Sequence, residues 1–97
     1  MRREETALRS AVEAVRLGDL DAFSEIVDDL QPGLTALARG YCRNPEDVLE
    51  LTQEFFLYLY KKLGKYRGES SFRTWSWSVA RNFFRKQLRR RKLPQTE

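Results

Sequence analysis

Residues 45–64 read PEDVLELTQEFFLYLYKKLG, and the fold follows from how this segment distributes its apolar side chains. At about 100° per residue, Val48, Thr52, Phe55, Leu59 and Leu63 form one stripe, and Leu49, Phe56 and Tyr60 form a second. A helix that is apolar on two sides must be central, packed by neighbours on both. Asn44-Pro45 marks its start, because the missing proline N–H costs little in a first helical turn, and Gly64 ends it. Glu50, Gln53 and Glu54, at i, i+3 and i+4, make a polar strip on this otherwise apolar element. From the residues alone, that strip is a solvated face.

Two helices are expected upstream. The first runs from about Glu4 to Leu17, with Ala7, Leu8, Ala11, Val12 and Val15 on one side and Gly18 as its stop. Asp19 is expected to cap the second, its carboxylate accepting free backbone N–H groups. There Phe23, Val27, Leu30, Leu34, Leu37 and Tyr41 recur every three or four residues and keep phase across Pro32-Gly33. Proline removes one backbone hydrogen bond and crowds the turn before it, so the expectation is one helix kinked near Pro32.

Downstream, Lys65–Ser70 reads as a loop, and Ser70 or Ser71 caps a fourth helix reaching about Lys92. Phe72, Trp75, Val79 and Phe83 share the side expected to meet the core. Trp77, Phe84 and Leu88 form another apolar strip that a simple core leaves no room for. Thr74, Ser78, Arg81, Asn82, Arg85 and Arg89 lie elsewhere, with Arg81, Arg85 and Arg89 each four apart. Like charges at that spacing repel, and an anionic ligand would relieve them. No alternating run or Asn-Gly hairpin signal occurs, so the fold class is all-α, a compact bundle of about four helices.

The chain has 97 residues, a single domain's length, and a formal net charge of +4. Residues 1–60 carry six basic and twelve acidic residues, and residues 61–97 carry twelve basic and two acidic ones. That division, −6 against +10, points to two surfaces with different partners. With no histidine and a single cysteine, Cys42, neither a zinc site nor an intrachain disulfide can form. No cofactor or metal is expected, Cys42 reads as a small buried side chain at a helix end, and a reducing compartment fits. No signal peptide or membrane-length apolar run is visible, and no nucleophile–base set or phosphate loop supports an enzyme.

The basic segment combines what a nucleic-acid surface needs. Lys61, Lys62, Lys65, Arg67, Arg73 and the arginine-rich end supply cations for phosphates. Tyr66, Phe72, Trp75, Trp77 and Asn82 offer stacking faces and an amide for bases, although Phe72 and Trp75 are first of all core residues. A solvated terminus, or a generic basic helix on an anionic membrane surface or RNA, is the plainer alternative.

GDLDAFSEIV (18–27), YCRNPEDVLELTQEFF (41–56) and RGESSFRTWSWSVARNFFRKQLRRRK (67–92) together resemble region 2 of bacterial sigma factors of the extracytoplasmic-function (ECF) group, over about residues 8–93. The resemblance implies that Glu50, Gln53 and Glu54 dock on the clamp coiled coil of the largest subunit of core RNA polymerase, overturning the solvated-face reading. Glu50 stands where aspartate is usual. It further implies that the loop and fourth helix capture the non-template strand of the melted −10 promoter element, one base being flipped into a pocket partly formed by the loop. Lys65, Tyr66, Arg67 and Ser70 of the loop, with Arg73, Trp77, Ser78, Arg81, Asn82, Arg85 and Arg89 of the helix, would face this DNA. Asn82 matches a base-contacting position, and an amide suits a base edge.

Trp77-Ser78, Phe83-Phe84 and Tyr58-Leu59 depart from the residues usual in the family. An anti-sigma factor is an expected partner and the cytoplasm the expected location. Residues 1–93 would form the region 2 domain and 94–97 the start of a linker to a −35-reading domain, from which the chain is expected to have been cut. A sigma-like mimic that sequesters an anti-sigma factor is the alternative, and it would have no need of the DNA-facing residues.

Overall fold

Chain reversals fall where the backbone demands them. The computed structural model describes residues 4–91; the expected linker at 94–97 and the helix end at Lys92 lie outside them. Among the described residues there are four α-helices, α1 Glu5–Arg16, α2 Ala22–Arg39, α3 Pro45–Lys62 and α4 Phe72–Arg91, with one 3-10 turn at Leu63–Lys65 and no strand. This is the all-α bundle expected.

After α1, Gly18 takes φ +104°, a left-handed conformation that glycine adopts without a Cβ penalty. Asp19 does not cap α2 with its carboxylate. Its backbone carbonyl accepts from Ala22 instead, while Leu20 and Asp21 accept from Phe23 and Ser24, so a tight backbone turn starts the helix. α2 then continues unbroken through Pro32, one element rather than two. Asn44 caps α3 as a side-chain acceptor for the Glu46 N–H at 2.8 Å, with Pro45 in the first turn. For α4, Ser71 rather than Ser70 is the cap, accepting from the Thr74 N–H at 3.1 Å.

α1 packs on α2, α2 on α3 and α3 on α4, and α4 reaches back to α1 and α2. Phe55 of α3 sits at the centre, its ring centroid 5.7 to 5.8 Å from those of Phe56, Phe83 and Phe84. Tilted rings at such spacing are favourable beyond the area they bury. Thr52 is accommodated in the core because its hydroxyl donates to the Val48 carbonyl at 2.7 Å. Cys42 is buried just past α2, as expected, and burial pushes its thiol pKa up.

The helix faces differ from expectation, and small residues are the reason. In α2 the deepest ridge is Ala22, Ile26, Leu30, Leu34 and Ala38, with Phe23, Val27, Leu37 and Tyr41 flanking it half-buried. In α4 the inner face is Phe72, Ser76, Ala80, Phe83, Phe84 and Leu88. Ser76 and Ala80 let the backbone approach its neighbours, which rotates Phe84 and Leu88 into the core and leaves Trp75 and Val79 at its margin. Of the strip expected to lack a place, Phe84 and Leu88 are therefore core and Trp77 is half-buried. In α1, Ala7 is exposed; in α3, Leu51 is fully buried while Leu49 and Tyr60 remain largely exposed.

Candidate nucleic-acid and partner interfaces

Beyond the 3-10 turn at Leu63–Lys65, where the Leu63 carbonyl accepts from the Tyr66 N–H, the segment up to Ser71 belongs to no helix, and its carbonyls draw further donors from elsewhere. They find them on α1. Arg16 donates from Nε to the Leu63 carbonyl at 3.1 Å and from Nη2 to the carbonyls of Leu63, at 2.5 Å, and Tyr66. Arg9 donates from Nη2 to the carbonyls of Ser70 at 3.1 Å and Gly68 at 3.3 Å. Glu5 accepts from Arg9 Nε at 2.7 Å and from the Phe72 backbone N–H at 2.8 Å, satisfying an orphan donor at the start of α4.

Tyr66 is the plug of this loop. It is buried, its hydroxyl donates to the Ser70 carbonyl at 2.6 Å, and its ring meets Phe72 and Trp75 at 5.2 Å. The guanidinium carbons of Arg9 and Arg16 stand 5.8 and 6.0 Å from its centroid. Burial pushes its pKa up, with Arg9 pulling the other way. The expectation that Tyr66 offers a face to DNA thus meets a ring committed to the core. Lys65, Arg67 and Ser70 are exposed around it, and Gly68 turns the loop at φ +80°.

Arg73 is similarly committed. It donates from Nη2 to Asp29 Oδ1 at 2.7 Å and from Nε to Oδ2 at 3.1 Å, a fork on a carboxylate whose side chain is wholly buried. Trp77 is half-buried on α2, where a Cβ on Gly33 would lie 2.6 Å from its ring. Gly33 is therefore a seat for an indole. Asp29, Pro32, Gly33, Arg73, Thr74 and Trp77 line a cleft of about 600 Å³ between α2 and α4.

Thr74, Ser78, Arg81, Asn82, Arg85 and Arg89 all lie exposed on the outer side of α4. Arg85 Nη2 donates to Asn82 Oδ1 at 2.6 Å. Asn82 stands on a crest between two open clefts of about 530 and 580 Å³, one walled by Tyr41 and the other by Tyr58, with Lys86 and Arg89 on both. Cations beside aromatic walls can hold a strand by its phosphates and stack its bases.

The α3 strip is bordered by the end of α4. Glu50 and Gln53 are exposed and Glu54 is half-buried. Arg91 donates to Glu50 at 2.7 Å and also to Glu54, so the end of α4 lies against these carboxylates. Leu57 and Tyr60, 69% and 42% exposed, continue the helix beyond Gln53 at helical spacing.

Sequence reasoning missed Glu5, Arg9, Arg16, Asp29 and Arg91. Signals existed for four of them: first, Glu5, Arg9 and Arg16 fall on one face of α1, beside its apolar stripe. Asp29, inside the apolar run of α2, also signalled a buried partner. Among the described residues no helix is long and apolar enough to cross a membrane.

The family model for Sigma-70 region 2 matches residues 26–93. The RNA polymerase sigma-H factor of Pseudomonas aeruginosa is 34% identical over 71 residues, covering 73% of this chain and 37% of the relative. The ECF RNA polymerase sigma-E factor of Haemophilus influenzae is 33% identical over 79 residues, covering 81% and 41%. That of Escherichia coli is 37% identical over 71 residues, covering 73% and 37%. The matched residues thus span about two fifths of the length of these curated relatives. Four helices around an aromatic core, a basic loop-and-helix surface and the matched residues agree: the chain belongs to the Sigma-70 region 2 family, with ECF sigma factors among its relatives.

Proposed function

We propose that this chain is the part of an alternative sigma factor that binds core RNA polymerase and captures the melted −10 promoter element. The observation carrying the reading is the opposite chemistry that two helices expose: exposed Glu50 and Gln53 with half-buried Glu54 on α3, and exposed Arg81, Asn82, Arg85 and Arg89 on α4. The acid-and-amide strip suits a basic coiled coil on the polymerase clamp. The basic face and the exposed Lys65 and Arg67 suit single-stranded DNA, with phosphates held by cations and a base edge read by Asn82.

Taking a base out of the stack costs a few kcal/mol, which loop contacts and polymerase binding together must offset. The domain alone therefore binds DNA weakly. Its work is binding, with no bond made or broken, in the cytoplasm where the polymerase is. An anti-sigma factor is a further partner on this reading.

The test uses core RNA polymerase with the chain and a pool of bubble-containing duplexes randomised through the −10 positions. The complex should enrich a defined sequence, and Asn82→Ala should change that sequence while leaving polymerase binding intact. Gln53→Ala with Glu54→Arg should abolish polymerase binding. Should about five phosphates be neutralised, capture falls with salt at a log–log slope near −3.5. No enrichment, or polymerase binding indifferent to the α3 variants, would refute the proposal.

A further inference from the structure

We infer that α1 is part of the DNA-reading apparatus, with Glu5, Arg9 and Arg16 as positioning residues that hold the loop Leu63–Ser71 in its capture conformation. The inference rests on the proposed role of that loop. The Sigma-70 region 2 match begins at residue 26 and leaves α1 outside, yet α1 supplies side chains that hold the loop in shape.

Four carbonyls of the segment, on Leu63, Tyr66, Gly68 and Ser70, accept from two guanidinium groups. Residues 5, 9 and 16 lie within about 40° of one another around the helix axis at 3.6 residues per turn. They form one row aimed at the loop, while Leu8, Ala11 and Val15 are buried in the bundle core. Arginine is suited to this work, since its planar fork spans two acceptors that a lysine ammonium would serve one at a time. Arg9 and Arg16 also flank Tyr66, whose hydroxyl closes the loop on Ser70. Glu5 ties the row to α4 by accepting from both Arg9 and the first N–H of that helix. The exposed Lys65 and Arg67 therefore stand on a backbone whose shape is set from α1. Removing that hold lets the loop sample other shapes, and strand capture then bears the cost of ordering it.

The test compares the chain with Arg16→Ala, Arg16→Lys and Arg9→Ala by hydrogen–deuterium exchange, and by capture of the randomised bubble pool in complex with core polymerase. Arg16→Ala should speed exchange of amides 64–71 by about tenfold and weaken capture by a similar factor. Amides of α2 and α3 and polymerase binding should stay unchanged, and Arg16→Lys should recover part of both losses. Unchanged loop exchange overturns the inference, as does faster exchange with undiminished capture. Lys65→Glu with Arg67→Glu then identifies which step failed. If that pair also leaves capture unchanged, the loop does not meet DNA and the proposed function fails with it; if capture falls, only the positioning role is wrong. If Arg16→Ala loosens α2 and α3 as well, Arg16→Lys decides: a loop-confined effect supports the inference and a global one overturns it.

Discussion

Replacing Arg73 by methionine distinguishes a structural cation from a DNA-binding one. The Arg73 side chain is 22% exposed and the Asp29 side chain 0% exposed, and the pair is forked at 2.7 and 3.1 Å. Methionine keeps much of the aliphatic length and leaves the buried carboxylate without that guanidinium. Breaking a buried pair from one side costs about 3–5 kcal/mol. Because Arg73 retains some solvent, the lower end applies, about 3 kcal/mol. In a domain of this size that amounts to a fall in Tm of roughly 12–24 °C, a large share of a total stability near 5–15 kcal/mol. Exchanging both partners, Asp29→Leu with Arg73→Met, removes the charge as well as its partner and should cost no more than about 1 kcal/mol. A double-mutant cycle by urea and thermal unfolding, followed by circular dichroism, should therefore give a coupling of about 2 kcal/mol or more. Strand capture by Arg73→Met at a temperature where it stays folded should match that of the unaltered chain. A stability loss below about 1 kcal/mol together with weakened capture would refute this reasoning and return Arg73 to the DNA surface.

Four further outcomes are expected. Arg91→Ala frees Glu50 and Glu54; exposed pairs are weak, so affinity for core polymerase should rise only about two- to fivefold in a titration, and a fall would mean that Arg91 itself docks. Gly33→Ala should destabilise by about 1 kcal/mol in urea unfolding, because overpacking against Trp77 outweighs the gain in helix propensity. In a Trp77→Ala background the same change should become stabilising, and stabilisation in both would show that the indole imposes no constraint. Ser76→Ala should stabilise by about 1 kcal/mol, since the buried Ser76 Oγ has no hydrogen-bond partner among the described residues; a loss of stability would contradict this. Burial raises the Tyr66 pKa, so as pH climbs past about 10 the unfolded chain loses its phenol proton before the folded one and stability declines. Tyr66→Phe should flatten that part of the decline in urea midpoints measured from pH 8 to 11, and an unaltered slope would refute it.

Local signals in the sequence were sufficient for the secondary structure. Gly18 and Asn44-Pro45 act within a turn or two of themselves, so the end of α1 and the start of α3 could be read directly, whereas α2 starts on a backbone turn and not on the Asp19 carboxylate. The stripe of α3 was legible for the same reason, because Val48, Phe55 and Leu59 repeat with the helix period. Small residues defeated the reading of α4. Periodicity weighs side-chain size, whereas close approach rewards its absence, and Ser76 and Ala80 rotated the buried face toward Phe84 and Leu88.

By itself the sequence determined four helices, one basic loop and helix, one acid-and-amide strip, and enough matched residues to identify the family. Only the tertiary structure decided which charges are spent inside the molecule. Arg73 goes to Asp29, Arg91 to Glu50 and Glu54, and Arg9 and Arg16 to the loop carbonyls, across 37 to 61 residues of chain. Arg81, Asn82, Arg85 and Arg89 are left facing outward. The reason is geometric. A helix period places residues a turn apart, while an ion pair between distant segments exists only after the core has packed and brought those segments within 3 Å of each other.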